Sequence, residues 1–154
     1  GFTPTSDTPP NASKGFVDMA KSPDLIPFTN AKTGKPHFVN AGEIVSAVAN
    51  WEENQKAKTV ISTKKGSYFL AEAVDYVVKD IRRHGVSMIM LHSVRPKQGE
   101  YWINPAKMIS VVANWDGDER AKTCISTEIC NVFVTELTSE VVRKATESES
   151  VAAK

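Results

Sequence analysis

Nowhere among the 154 residues is there a run of the roughly 20 apolar residues that a membrane-crossing helix requires. The first residues also lack the basic-then-apolar order of a secretory signal. The chain does not begin with Met, and both leader cleavage and initiator removal fit that, so the compartment stays open between virion and cytoplasm. Cysteine is scarce. Cys124 and Cys130, six residues apart, make no disulfide framework, and His37, His84 and His92 are scattered without ligand spacing. No metal or cofactor is therefore expected. Both thiols are expected reduced and unlinked.

Charge of one sign is missing as well. A formal net charge of +1 argues against a protein whose main task is neutralising phosphates. Its distribution is uneven: residues 25–88 carry nine basic and six acidic side chains, and 89–154 carry eight and nine. No Walker, G-x-S-x-G or G-x-G-x-x-G sequence occurs, and the acidic loops Glu52-Glu53 and Asp116, Asp118, Glu119 lack EF-hand spacing. These absences point away from an enzyme.

What is present is a duplication. "VANWEENQKAKTVIST" at 48–63 returns as "VANWDGDERAKTCIST" at 112–127, and a shift of 64 residues aligns 37–79 with 101–143 without a gap. Sixteen of those 43 pairs are identical, where chance would give two or three. An ungapped match implies equal turns and strands in both copies and hence one register.

Within each copy the apolar period is first two and then helical. "PHFVNAGEIVSAVANW" predicts a short strand at His37–Asn40, a tight Ala41-Gly42 turn and a longer strand through Ile44, Ser46 and Val48 to Trp51. "EYWINPAKMISVVANW" repeats it, with Pro105 in the turn. "AKTVIST" and "SYFLAE", like "AKTCIST" and "NVFVTE", predict a hairpin rich in β-branched residues. Val74, Val77, Val78 and Ile81 then share one helical face, with Gly85 as the stop. In the second copy Thr138 fits an N-cap before Val141, Val142 and Ala145. "LIPFTNAKTGKP" and "SMIMLHSVRPKQGE" each supply a leading strand.

The expected fold is α+β: two tandem repeats, 25–86 and 87–146, each a small antiparallel sheet with one C-terminal helix. A sheet with one helix leaves a face uncovered, so the two are expected to pack as a pseudo-dimer. Residues 1–24, rich in Pro, Ser and Thr, read as an extended arm, and 147–154 as a C-terminal tail.

The order "FTNAKTGKPHFVNAGEIVSAV…KTVISTKKGSYFLAEAVDYVVKDI", followed by "YWINPAKMISVV…KTCISTEICNVFVTELTSEVVRKA", resembles the small FlbD/SwrD-like proteins and their bacterial and phage relatives. Asn40 and Asn104 match that family's Asn, Pro105 its Pro, Ile44 and Met108 its apolar position, and Glu72 and Glu136 the acidic residue before its helix. Ala41 stands where the family has Pro, and Val74 where it has Ser. The resemblance spans about 120 residues and implies a fold, with no catalytic residues.

Two functions remain in competition. The first is a non-enzymatic structural or interaction subunit of a larger assembly, with a phage virion decoration or connector protein as the natural setting. Phe16, Val17 and Met19 of the arm, with Trp51 and Trp115, are its interface candidates, although a Trp ending a strand also caps a core. Protein partners, including further copies of the chain, are implied, and no membrane. The alternative is a module for single-stranded nucleic acid, whose β-β-β-β-α order matches the Whirly and PUR architectures. Lys56, Lys58, Lys64, Lys65, Arg82 and Arg83 would then meet phosphates, although Glu128 and Ile129 stand where Lys64 and Lys65 do.

Overall fold

The computed structural model describes residues 24–50, 56–95, 99–114 and 118–153. Phe16, Val17, Met19, Trp51 and Trp115 lie outside those residues. The fold is α+β, and the described residues form ten strands in three antiparallel sheets and two helices.

The first half runs β1 (Leu25–Thr29), β2 (Pro36–Asn40), a 3-10 turn (Ala41–Glu43), β3 (Ser46–Ala49), β4 (Thr59–Thr63), β5 (Gly66–Leu70) and α1 (Val74–Arg83). The second follows the same order: β6 (Ile89–His92), β7 (Glu100–Ile103), a 3-10 turn (Pro105–Lys107), β8 (Met108–Ala113), β9 (Thr123–Thr127), β10 (Asn131–Val134) and α2 (Thr138–Ala153).

Residues shared by the two copies explain why the same turns recur. The Asn40 side chain accepts a hydrogen bond from the Gly42 N–H at 3.1 Å, and Asn104 accepts from Ala106 at 3.0 Å. A short amide oxygen two residues ahead of the donor is what starts such a turn. Thr59 and Thr123 each donate a hydroxyl to the backbone carbonyl of the Glu before the helix, Glu72 at 2.6 Å and Glu136 at 2.7 Å. Those glutamates accept in turn from the backbone N–H of Thr29 and His92. Asn50 and Asn114 donate to the carbonyls of Ala57 and Ala121. Ile61 and Ile125, and Val77 and Val141, are fully buried. Each large aliphatic group among them is worth roughly 1.5 to 3 kcal/mol of burial. These shared residues thus sit at equivalent turn and core positions of the two halves.

Alternation places the strands. In β4 residues 59, 61 and 63 are buried and 60 and 62 half-buried, while in β1 Ile26 and Phe28 point inward and Leu25 and Pro27 outward. In α1, Val77, Val78 and Ile81 face the core, and Gly85 follows at φ +85°, where a glycine leaves the helix without strain. Helix α1 packs on β1 and β3, and α2 on β6 and β8.

The sheets do not divide by repeat, contrary to the expectation of one sheet per copy. A five-stranded sheet of order β5-β4-β3-β7-β6 takes strands from both halves, joined where Ser46 pairs with Ile103 and Ala47 with Trp102. The remaining sheets are β1-β2 and β10-β9-β8. Single bridges, Asn30 to Leu70 and Ser93 to Val134, link β1 to β5 and β6 to β10. The cores are shared across the joint too. Trp102 packs against a core built from Ile26, Phe28, Ile44, Ile61, Leu70 and Ile81, and Val48 packs against the one built from Leu91, Ile103, Ile125 and Val134.

Three local expectations need correction. Strand β3 runs only from Ser46 to Ala49, without Ile44, and the Asn50 N–H bonds the Lys58 carbonyl in the same register, while residue 51, the expected end, lies outside the described residues. Thr138 opens α2 as its first residue instead of preceding it, and its hydroxyl lies 3.1 Å from that of Thr123. Residues 147–153, expected as a tail, continue α2, with an Arg143–Glu147 ion pair at 2.9 Å and the Ser148 carbonyl accepting from Ser87.

Candidate functional site: a cleft between the halves

Because β3 pairs with β7, the outward face of β3, β4 and β5 meets the second half across a cleft of about 400 Å³. Its floor is built from the residues that alternate with the core: Ser46 and Val48 from β3, Val60 and Ser62 from β4, Ser67 and Phe69 from β5. Tyr101 from β7, Arg95, and the segment Ile129 to Phe133 form the opposite side.

The Tyr101 side chain is the best-defined polar group there. Burial pushes its pKa up to about 12, the Cys130 thiol adds to the rise, and a hydrogen bond with Ser46 and the charge of Arg95 offset part of it. A phenol held that high keeps its proton at neutral pH. The Ser46, Ser62 and Ser67 hydroxyls have no basic partner in their described bonds, and Ser62 and Ser67 face each other at 3.1 Å. The arrangement can hold a neutral or partly apolar group by hydroxyl contacts, with one cation at the rim. Cys130 is exposed beside Tyr101, and Cys124 is buried in β9.

Elsewhere the titratable groups are tied into structure. Burial alone would raise the Glu136 carboxyl, but the backbone N–H and imidazole of His92, at 3.0 and 2.7 Å, hold it below its usual value. His84 sits 2.6 Å from Asp24. Asp118, from the acidic loop, takes Arg120 on both carboxylate oxygens, and that bonding lowers its pKa. Among the described residues no three His, Cys, Asp or Glu side chains gather as a metal site would require. No described helix is long and apolar enough to cross a membrane.

The six basic residues singled out from the sequence do not converge on the cleft. Lys56 and Lys58 precede β4 and Lys64 and Lys65 follow it, so Lys58 and Lys64 stand roughly 20 Å apart along an extended strand. Arg82 donates to the Met88 carbonyl at 2.7 Å and covers the Trp102 ring at 5.1 Å, which assigns it to the joint. Arg83 pairs with Asp80 at 3.4 Å. Sequence reasoning missed Ser46, Arg95, Tyr101 and Cys130 as cleft residues. The available signal was the departure from the repeat at Tyr101 and Cys130, where the first copy has His37 and Gly66.

No family model, curated protein or solved structure matches this chain.

Proposed function

We propose that the protein is a non-enzymatic structural subunit: two copies of one FlbD/SwrD-like unit, fused as a pseudo-dimer, that assembles with other proteins. A decoration or connector protein of a phage virion is the setting we favour, with the arm at 1–24 as a further docking element. The observation that carries this reading is where apolar surface is left over. Phe38 on β2 and Ile109 on β8 are 58% and 69% exposed, on strands that among the described residues pair on one side only. Such edges invite a partner.

The single-strand reading draws on the outward sheet face, where Phe69 is 48% exposed and Arg95 stands at the rim. The spread of the lysines weighs against it.

Two measurements on the full chain separate them. Sedimentation velocity should find species heavier than 16.9 kDa, and fluorescence anisotropy should find no oligonucleotide binding at physiological salt. A monomer that binds single strands, with affinity falling steeply as salt rises, would overturn the subunit reading.

A further inference from the structure

The repeat assigns every residue of the β3–β7 joint an equivalent in the other copy, and the equivalents make a second, unused joint. On one side Val45 accepts from the Asn104 N–H at 2.9 Å, the Asn104 side chain donates to the Ile44 carbonyl at 2.9 Å, and Ser46 and Ala47 pair with Ile103 and Trp102. Shifted by 64 residues, the same four contacts would join Ile109 to Asn40, Asn40 to Met108, and Ser110 and Val111 to Val39 and Phe38. None of them is made within the chain, because β2 pairs only with β1 and β8 only with β9 among the described residues.

Burial differs at most positions of the joint, Val39 excepted, which is buried like its equivalent Ile103. Val45 is 0% exposed and its equivalent Ile109 69%; Ser46 and Asn104 are buried while Ser110 is exposed and Asn40 half-buried; Trp102 packs into a core while Phe38 is 58% exposed. The backbone takes the same path in both copies: the Val45 N–H bonds the Ser62 carbonyl although Ser46 is the residue paired with Ser62, and the register of β8 on β9 slips at the equivalent place, between Met108 and Ser110. What differs between the copies is the covering strand.

We infer that β8 of one copy receives β2 of a second copy, in the register Ser110 to Val39 and Val111 to Phe38, so that the chain joins head to tail. This rests on the structural-subunit reading and names its partner. The donor and acceptor edges differ, which makes the contact heterologous, and repetition gives a ring or a filament according to whether the rotation closes. The occupant is a second copy because, among the described strands, the one with the matching sequence pattern is this chain's own β2, whose counterpart β7 already fills the equivalent place beside β3.

The test uses full-length chains carrying Phe38→Glu or Ile109→Glu, each at an exposed position, with circular dichroism to show that the fold persists. Wild type should sediment as species of two or more chains. Each variant should raise the concentration for association by at least about tenfold, to monomers at micromolar concentration. An equimolar mixture should give dimers and nothing larger, because one variant keeps its β8 and the other its β2. Hydrogen exchange of the wild type, read on 36–40 and 108–113, should slow on association, and this measurement decides the matter if a variant unfolds. Wild-type assembly that both variants retain, or that only removal of residues 1–20 abolishes, overturns the joint and leaves the subunit reading standing. A wild type that stays monomeric overturns the joint, and salt-sensitive oligonucleotide binding by that monomer overturns both.

Discussion

Glu136 shows how one repeated residue acquires different physics in its two settings. Glu72 accepts from the Thr29 backbone at 3.1 Å, while Glu136 receives both the N–H and the imidazole of His92 and is 7% exposed. Its carboxyl titrates below the usual range in the folded chain. A carboxylate held low contributes stability in full above about pH 4.3, where a free glutamate titrates, and loses it as pH falls through the folded value. Glu136→Gln keeps the shape and one acceptor but removes the charge, and should cost about 1 to 2 kcal/mol near pH 7. Chemical denaturation of both proteins from pH 7 to pH 3 checks this: the gap should narrow below about pH 4, and a gap independent of pH would refute the assignment. Sequence alone could mark Glu136 as repeated, but not that position 92, Thr29 in the first copy's equivalent role, would bring an imidazole to it.

Hairpins and helices were the most legible elements, for physical reasons visible at single positions. The 59–63 and 66–70 strands alternate around a two-residue turn, and α1 declares itself by Val77, Val78 and Ile81 and stops at Gly85. Nothing lies within 4 Å of a side-chain carbon built on Gly85, so its importance is conformational only. Gly85→Ala should therefore cost about 1 kcal/mol through backbone strain at φ +85°. Thermal unfolding of the variant measures it, and an unchanged midpoint would mean that the helix end relaxes freely. Strand ends were less legible: the apolar pattern starts at Ile44, but β3 begins only at Ser46, because the Val45 N–H shares the Ser62 carbonyl with the residue after it and leaves the ladder irregular there. The last helix hid its length because "ESESVAAK" has tail-like composition, yet the backbone of 147–153 continues the helix that begins at Thr138.

At the scale of the molecule the sequence revealed two similar halves but not how they meet. Sequence periodicity reports which face of a strand is buried, and is silent on which strand lies beside it, so the β3–β7 pairing and the cleft above it were unreadable. The consequence is energetic as well as topological. Met88 and Trp102 from the second half complete the first half's core, and Val48 does the same in return. Neither half then owns a complete apolar interior, and the two should unfold together, in one transition reported equally by far-ultraviolet dichroism and by tryptophan fluorescence. Trp102→Ala probes the coupling directly. The ring is half-buried and covered by Arg82, so its loss should cost about 2 to 3 kcal/mol, the lower end for a large aromatic. The shift should be the same whether unfolding is followed by amide exchange in β4 of the first half or in β9 of the second. Destabilisation confined to β4, with β9 unchanged, would mean that the halves are separate folding units that merely touch.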